Sequence, residues 1–197
     1  DLPPGTFVFV DQFIDRTFAR VKSFFETGLV AHVSMAEPVC GRLSELLAQS
    51  AEELAIPFVQ GGTYLVMEGP QFSAKAESEL YRTWGCDVIG MTNMPEAKLA
   101  REAELCYATV AMVTDFDCWH PDHDHVTVEQ VISVLKSNAK NAGRLIETVA
   151  PKLSGRNGPC EKGCGTALDF ALITAPEARD SDVASKLDAV AGRVLNR

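Results

Sequence analysis

The sequence predicts an α/β fold, a central sheet with helices packed around it. Two observations predict it. Strand-like apolar runs alternate with amphipathic helical stretches, and three strand exits bear polar residues.

In order, Phe7 to Val10 reads as a strand, and Asp11 to Thr17 as a polar segment with apolar anchors. Leu43 to Leu54 is an amphipathic helix, with Leu43, Leu46, Leu47, Ala51 and Leu54 on one face. Thr63 to Met67 is a strand. Ala74 to Trp84 is a helix with Ser73 as its N-cap, stopped at Gly85. Asp87 to Met91 is a short strand, and Pro95 to Leu105 a helix with Pro in its first turn and Glu96 near its positive end. Tyr107 to Val113 reads as a buried strand. Thr127 and Gln130 form a capping box opening a long helix to about residue 149. After a Gly/Pro-rich break at 154–165, helical periodicity returns over 167–175 and 182–195. The break reads as a loop, so residues 1–197 are expected to form a single domain.

Composition narrows the function. An apolar content of 46% over 197 residues suits one sizeable core. A net charge of −9 argues against nucleic acid or anionic membrane as partner, since both select Lys/Arg clusters. No run approaches the roughly 18 apolar residues of a membrane span. The opening shows neither an initiator Met nor a secretory n-region, and it reads as a chain entered midway. Cytoplasmic localisation is the expectation.

Cys86 and Cys106 sit in apolar patterns, where a reduced thiol is the ordinary reading. Cys160 and Cys164 are a close pair in a Gly-rich loop, read equally as a disulfide, a zinc half-site or an unpaired pair. His120-Pro-Asp-His-Asp-His125 reads as a solvated loop, because its spacing lacks a regular metal-ligand geometry. His32, among apolar residues, reads as a structural histidine.

The sharpest local signal is Thr114-Asp115-Phe116-Asp117, two acids at the exit of an apolar run. Carboxylates avoid such positions unless paired, neutralised or used. Glu68, Phe72, Thr92 and Asn93 lie at two further strand exits, where ligands gather in α/β sheets. An aromatic there suits stacking on a planar ring, and Glu68 suits sugar hydroxyls.

Seven segments carry a resemblance: Asp11 to Thr17, Met35 to Pro38, Glu68 to Ser73, Ala76 to Ser78, Arg82 to Gly85, Met91 to Glu96 and Thr114 to Trp119. In this order they resemble the S-methyl-5'-thioadenosine phosphorylases, over the chain to about residue 150. The wider purine nucleoside phosphorylase group shares the Glu-Gly-Pro pattern but typically has Asn in place of the first acid. The resemblance implies a nucleoside phosphorylase-like central mixed sheet flanked by helices, with the N-terminal part of the fold absent from this chain. That part would hold a phosphate loop and an Arg-His phosphate pair, supplied by a second chain if the protein is active.

The implied reaction is phosphorolysis of S-methyl-5'-thioadenosine to adenine and 5-methylthioribose 1-phosphate, usually by a homotrimer. Inorganic phosphate is the co-substrate, and no metal or organic cofactor is required. The resemblance places Asp115 at the purine N7 as proton donor and Asp117 at the 6-amino group. It puts Phe72 against the base, Met91 at the ribose, Thr92 at phosphate, and Val128 and Val131 along the methylthio pocket. His32 resembles a histidine lent to a neighbouring subunit. The alternatives are a purine nucleoside or methylthioinosine phosphorylase, and an inactive fragment with a structural role.

Overall fold

The computed structural model describes residues 2–120, 127–154 and 158–196, Val128 by its backbone alone. Two three-stranded sheets form the centre, with orders β3-β1-β6 and β2-β4-β5. Here β1 is Phe7–Phe9, β2 Gln12–Arg16, β3 Phe58–Gln60, β4 Thr63–Met67, β5 Val88–Gly90 and β6 Ala111–Met112. The helices are α1 (Gly41–Glu53), α2 (Lys75–Thr83), α3 (Glu96–Glu102), α4 (Val128–Leu153), α5 (Ser181–Lys186) and α6 (Asp188–Leu195).

The two sheets are joined because two parallel strand pairs bend side by side from one into the other. β1 pairs with β3, Phe7 opposite Phe58, and β2 with β4, Gln12 opposite Thr63. At the bend the Gly61 N–H donates to the Phe9 carbonyl at 2.9 Å, and the Asp11 N–H to the Gly62 carbonyl at 3.1 Å. Gly62 has φ +118°, and a Cβ there would come within 3.0 Å of the Asp87 carboxylate.

The period of two along β1 divides the core. Phe7 and Phe9 face a cluster with Leu46, Ala51 and Ile56 and with Leu145 and Val149 of α4. Val8 and Val10 join Tyr64, Val66, Met94 and Ala97 on the other side. A third cluster packs Phe25 and Leu29 against Leu168, Ala171, Val183, Leu187, Ala191 and Val194 of the C-terminal segment.

Several expectations need correction. The segment 11–17 contains strand β2, and β3 was not expected at all. The run 107–113 contributes only the two-residue β6, antiparallel to β1. Its start is held instead by the Cys40 N–H, which donates to the Tyr107 carbonyl at 2.8 Å. Ser73 is not the N-cap of α2. That position is Ala74, whose N–H donates to the Glu77 carboxylate at 2.8 Å. Residues 167–175 form no α-helix, because their backbone pairs with residues 30–32: His32 N–H to Ala171 O at 2.8 Å, and Ile173 N–H to Val30 O at 2.9 Å. The Thr127–Gln130 capping box forms, and α4 runs on through Pro151.

Candidate active site

The strand exits of β4 and β5 meet through a close approach. Gly69, φ +74°, lets Met91 in: a Cβ there would sit 2.6 Å from the Met91 sulfur. Arg20 then fastens both exits. Its guanidinium donates to the carbonyls of Met67 (3.3 Å) and Glu68 (2.9 Å) after β4, and of Met91 (2.9 Å) and Met94 after β5. It also pairs with the Glu68 carboxylate at 3.2 Å.

That engagement corrects the expected role of Glu68. Its carboxylate accepts the backbone N–H groups of Phe18 (2.6 Å) and Ala19 (3.1 Å) in addition to Arg20. These bonds hold its carboxyl below the usual range, and its oxygens serve the protein rather than a sugar.

The loop after β6 folds back onto the start of α2. The Cys118 thiol reaches the Ser78 hydroxyl at 3.4 Å and the Ser73 carbonyl at 3.9 Å. The Arg82 guanidinium lies 3.5 Å from the centre of the Trp119 ring, and Phe116 stacks on His120 at 4.0 Å. This seating brings Thr114–Trp119 beside the segment carrying Phe72.

Asp115 and Asp117 are half-buried in that loop. Asp115 Oδ1 accepts the Thr114 hydroxyl at 2.5 Å, and Asp117 Oδ1 the Cys118 N–H at 2.8 Å. Among the described residues, the second oxygen of neither has a partner. Phe72 is 84% exposed, a bare aromatic face. Met91 is half-buried, and Thr92 is exposed with its hydroxyl 3.3 Å from that of Tyr64.

The remaining expected residues are less closely gathered. Val131 is half-buried on the first turns of α4, and Val128 opens that helix. His32 is exposed rather than buried among apolar side chains, and its backbone belongs to the C-terminal packing unit. Of the histidine-rich stretch, 121–126 lies outside the described residues.

Two residues escaped the sequence reading, and a third, Asn93, was read there only as a polar group at the β5 exit. Arg20 sits in a loop without periodicity. Asn138, fully buried on α4, donates from its amide to the Val113 carbonyl at 3.0 Å and so anchors the root of the acid loop. Asn93, φ +74°, accepts the Tyr107 hydroxyl at 2.8 Å and that of Thr109, joining the β5 exit to the run before β6. A polar residue inside an α4 apolar stripe was the only available signal for Asn138.

Residues 1–151 match the model of the phosphorylase superfamily. The S-methyl-5'-thioadenosine phosphorylase of Rhodospirillum rubrum is 65% identical over 99% of this chain and 66% of its own length. That of Bradyrhizobium diazoefficiens is 64% identical over 99% and 67%. The alignments therefore run through the C-terminal tail, where the motif set is weak. A crystal structure of methylthioadenosine phosphorylase from an antarctic soil metagenomic library superposes with a TM-score of 0.88 at 44% identity, covering 95% of this chain and 66% of that one. The methylthioadenosine phosphorylase of Schistosoma mansoni in complex with adenine gives 0.73 at 32% identity, covering 78% and 61%. The chain thus spans about two thirds of the length of these relatives. It belongs to the phosphorylase superfamily, and within it to the S-methyl-5'-thioadenosine phosphorylases.

Proposed function

We propose that this protein phosphorolyses S-methyl-5'-thioadenosine to adenine and 5-methylthioribose 1-phosphate, a salvage reaction. The observation that carries the reading is the acid loop seated at the start of α2, beside the bare face of Phe72. Relatives that align with almost the whole chain are named for this substrate.

Phosphate attacks C1' as the C1'–N9 bond breaks, and the ribosyl centre passes through an oxocarbenium-like state. Adenine departs well only if N7 gains a proton. Asp115 supplies it, while Asp117 accepts from the 6-amino group. A 6-oxo purine would present an acceptor to that carboxylate and be rejected. Phe72 stacks on the base, Met91 lies along the ribose and Thr92 meets the phosphate. Val128 and Val131 line the apolar pocket that suits a thioether. Phosphate is itself the nucleophile, so the reaction calls for no organic cofactor.

The remaining phosphate contacts belong to the third of the protein that this chain does not span, in the same polypeptide or on a second chain. We read 1–197 as part of one domain in a cytoplasmic homotrimer. Large exposed side chains, Phe18 and Phe170 among them, offer apolar surface for subunit contact, and the exposed His32 suits loan to a neighbour's site.

The test is the full-length enzyme assayed with 5'-methylthioadenosine and with the inosine analogue. The adenosine type should be strongly preferred. Asp115→Asn should lower kcat by about 10²–10⁴-fold with a smaller change in KM. Faster turnover of the inosine analogue would overturn the role of Asp117, and full activity of the variant that of Asp115.

A further inference from the structure

Four cysteines from three distant stretches converge at one point. Cys40 is the N-cap of α1, Cys106 follows α3, and Cys160 and Cys164 come from the loop beyond α4. Their four sulfurs all lie within 4.8 Å of one another. Cys40 and Cys160 are 3.6 Å apart, and Cys160 and Cys164 3.4 Å. A disulfide would draw a pair to about 2.05 Å. Thiolates set tetrahedrally about an ion at ~2.3 Å stand ~3.8 Å from each other, close to what is found. A multi-iron cluster would hold its cysteines farther apart.

The surroundings are those of a thiolate site. The Cys40 N–H, bonded to Tyr107 O at 2.8 Å, sets the start of α1 beside the Cys106 strand of chain. Cys160 to Cys164 forms a tight turn, with Gly163 at φ +63° and its N–H on the Cys160 carbonyl at 2.8 Å. Beneath the turn lies Arg101, only 6% exposed, donating to the carbonyls of Lys162 (3.3 Å) and Glu37. Its Nε is buried with no hydrogen-bond partner among the described residues. Such a cation has little reason to be buried beside four neutral thiols. It has one beside a site carrying net negative charge.

We propose that Cys40, Cys106, Cys160 and Cys164 bind one zinc ion as four thiolates. Each thiol releases its proton to solvent, and the resulting dianionic site is offset in part by Arg101. Soft sulfur donors exclude magnesium and calcium, and four protein ligands leave no open position, so the ion is structural. It ties the start of α1 and the end of α3 to the C-terminal segment, four residues before the buried Leu168. None of the residues proposed to contact substrate belongs to it.

Protein purified without metal-affinity resin should contain about one zinc per chain by plasma mass spectrometry. Exchange with cobalt should give a thiolate-to-cobalt charge-transfer band. Cys106→Ser and Cys160→Ser should each lose the metal and the band and lower the thermal midpoint. Should those variants fail to fold, native protein serves: four thiols should be masked from a thiol reagent and unmasked as zinc is released to a chelator. Metal-free protein with four reactive thiols would overturn the proposal. So would iron in place of zinc, metal retained by Cys106→Ser, or an unreduced mass lower by two hydrogens per bridge.

Discussion

Asp15 shows how a single side chain can be worth more than its neighbours. It accepts from Lys22 at 2.8 Å, Lys98 at 2.5 Å and the Thr17 hydroxyl at 2.6 Å and N–H at 2.9 Å, so one carboxylate joins β2, the loop after it and α3. Burial alone would raise its carboxyl. The two ammonium groups and the Thr17 donors outweigh that and hold it well below the usual carboxylate range. The unfolded chain therefore takes up a proton that the folded protein refuses, and stability falls as pH falls below about 4. Asp15→Asn should be less stable than wild type near neutral pH, with the gap narrowing as pH falls below about 4 and closing only beneath the depressed range of the folded carboxyl. Urea unfolding at each pH reads it directly, and a gap independent of pH would show that the carboxylate charge is not what matters.

At the scale of elements, legibility followed how locally each element is specified. β4 was readable because Thr63–Met67 is an apolar run closed by Gly-Gly before it and Gly-Pro after it. β2 was not, since Gln12, Asp15 and Arg16 are polar for the sake of distant partners, the Ala36 carbonyl, Lys98 and the Trp84 ring. The stretch 107–110 has strand composition but spends its backbone on the start of α1. The acid loop was legible as a motif, whereas its seat on α2 depends on Cys118 and Trp119 meeting residues some forty positions earlier. Arg20 is the extreme case, a loop residue whose partners all lie beyond position 66. Arg20→Ala would leave Glu68 and several carbonyls without their donor and should cost about 2–3 kcal/mol in urea unfolding. Hydrogen exchange should rise at 67–73 and 91–94 in particular. Arg20→Lys should not rescue it, because a single ammonium cannot reproduce the planar fork that spans both exits. Rescue by Lys would reduce Arg20 to a simple counter-charge for Glu68.

Over the whole molecule, the three core clusters are not equally connected. Two of them share β1, one on each face, so loss of packing in either is felt by the same strand. The third joins residues 25–33 to the C-terminal segment through Leu168, with backbone bonds at Val30 and His32 and an ion pair from Arg193 to Glu104 at 2.5 Å. This unit reaches the sheet's helices through Glu102, which accepts from Ser23 and Phe24, and Glu104, which accepts the Leu168 N–H and Arg193, beside the cysteine quartet. Leu168 is fully buried at its centre, and Leu168→Ala should cost about 2–5 kcal/mol at that site. The loss should be local. Hydrogen exchange should accelerate across 25–33 and 164–194, while β1 and β4 keep their protection, because their cores contain no residue of the third cluster. Equal loss of protection in β4 and in α6 would mean the chain unfolds as a single unit and that the C-terminal segment is part of the sheet's own cooperative core.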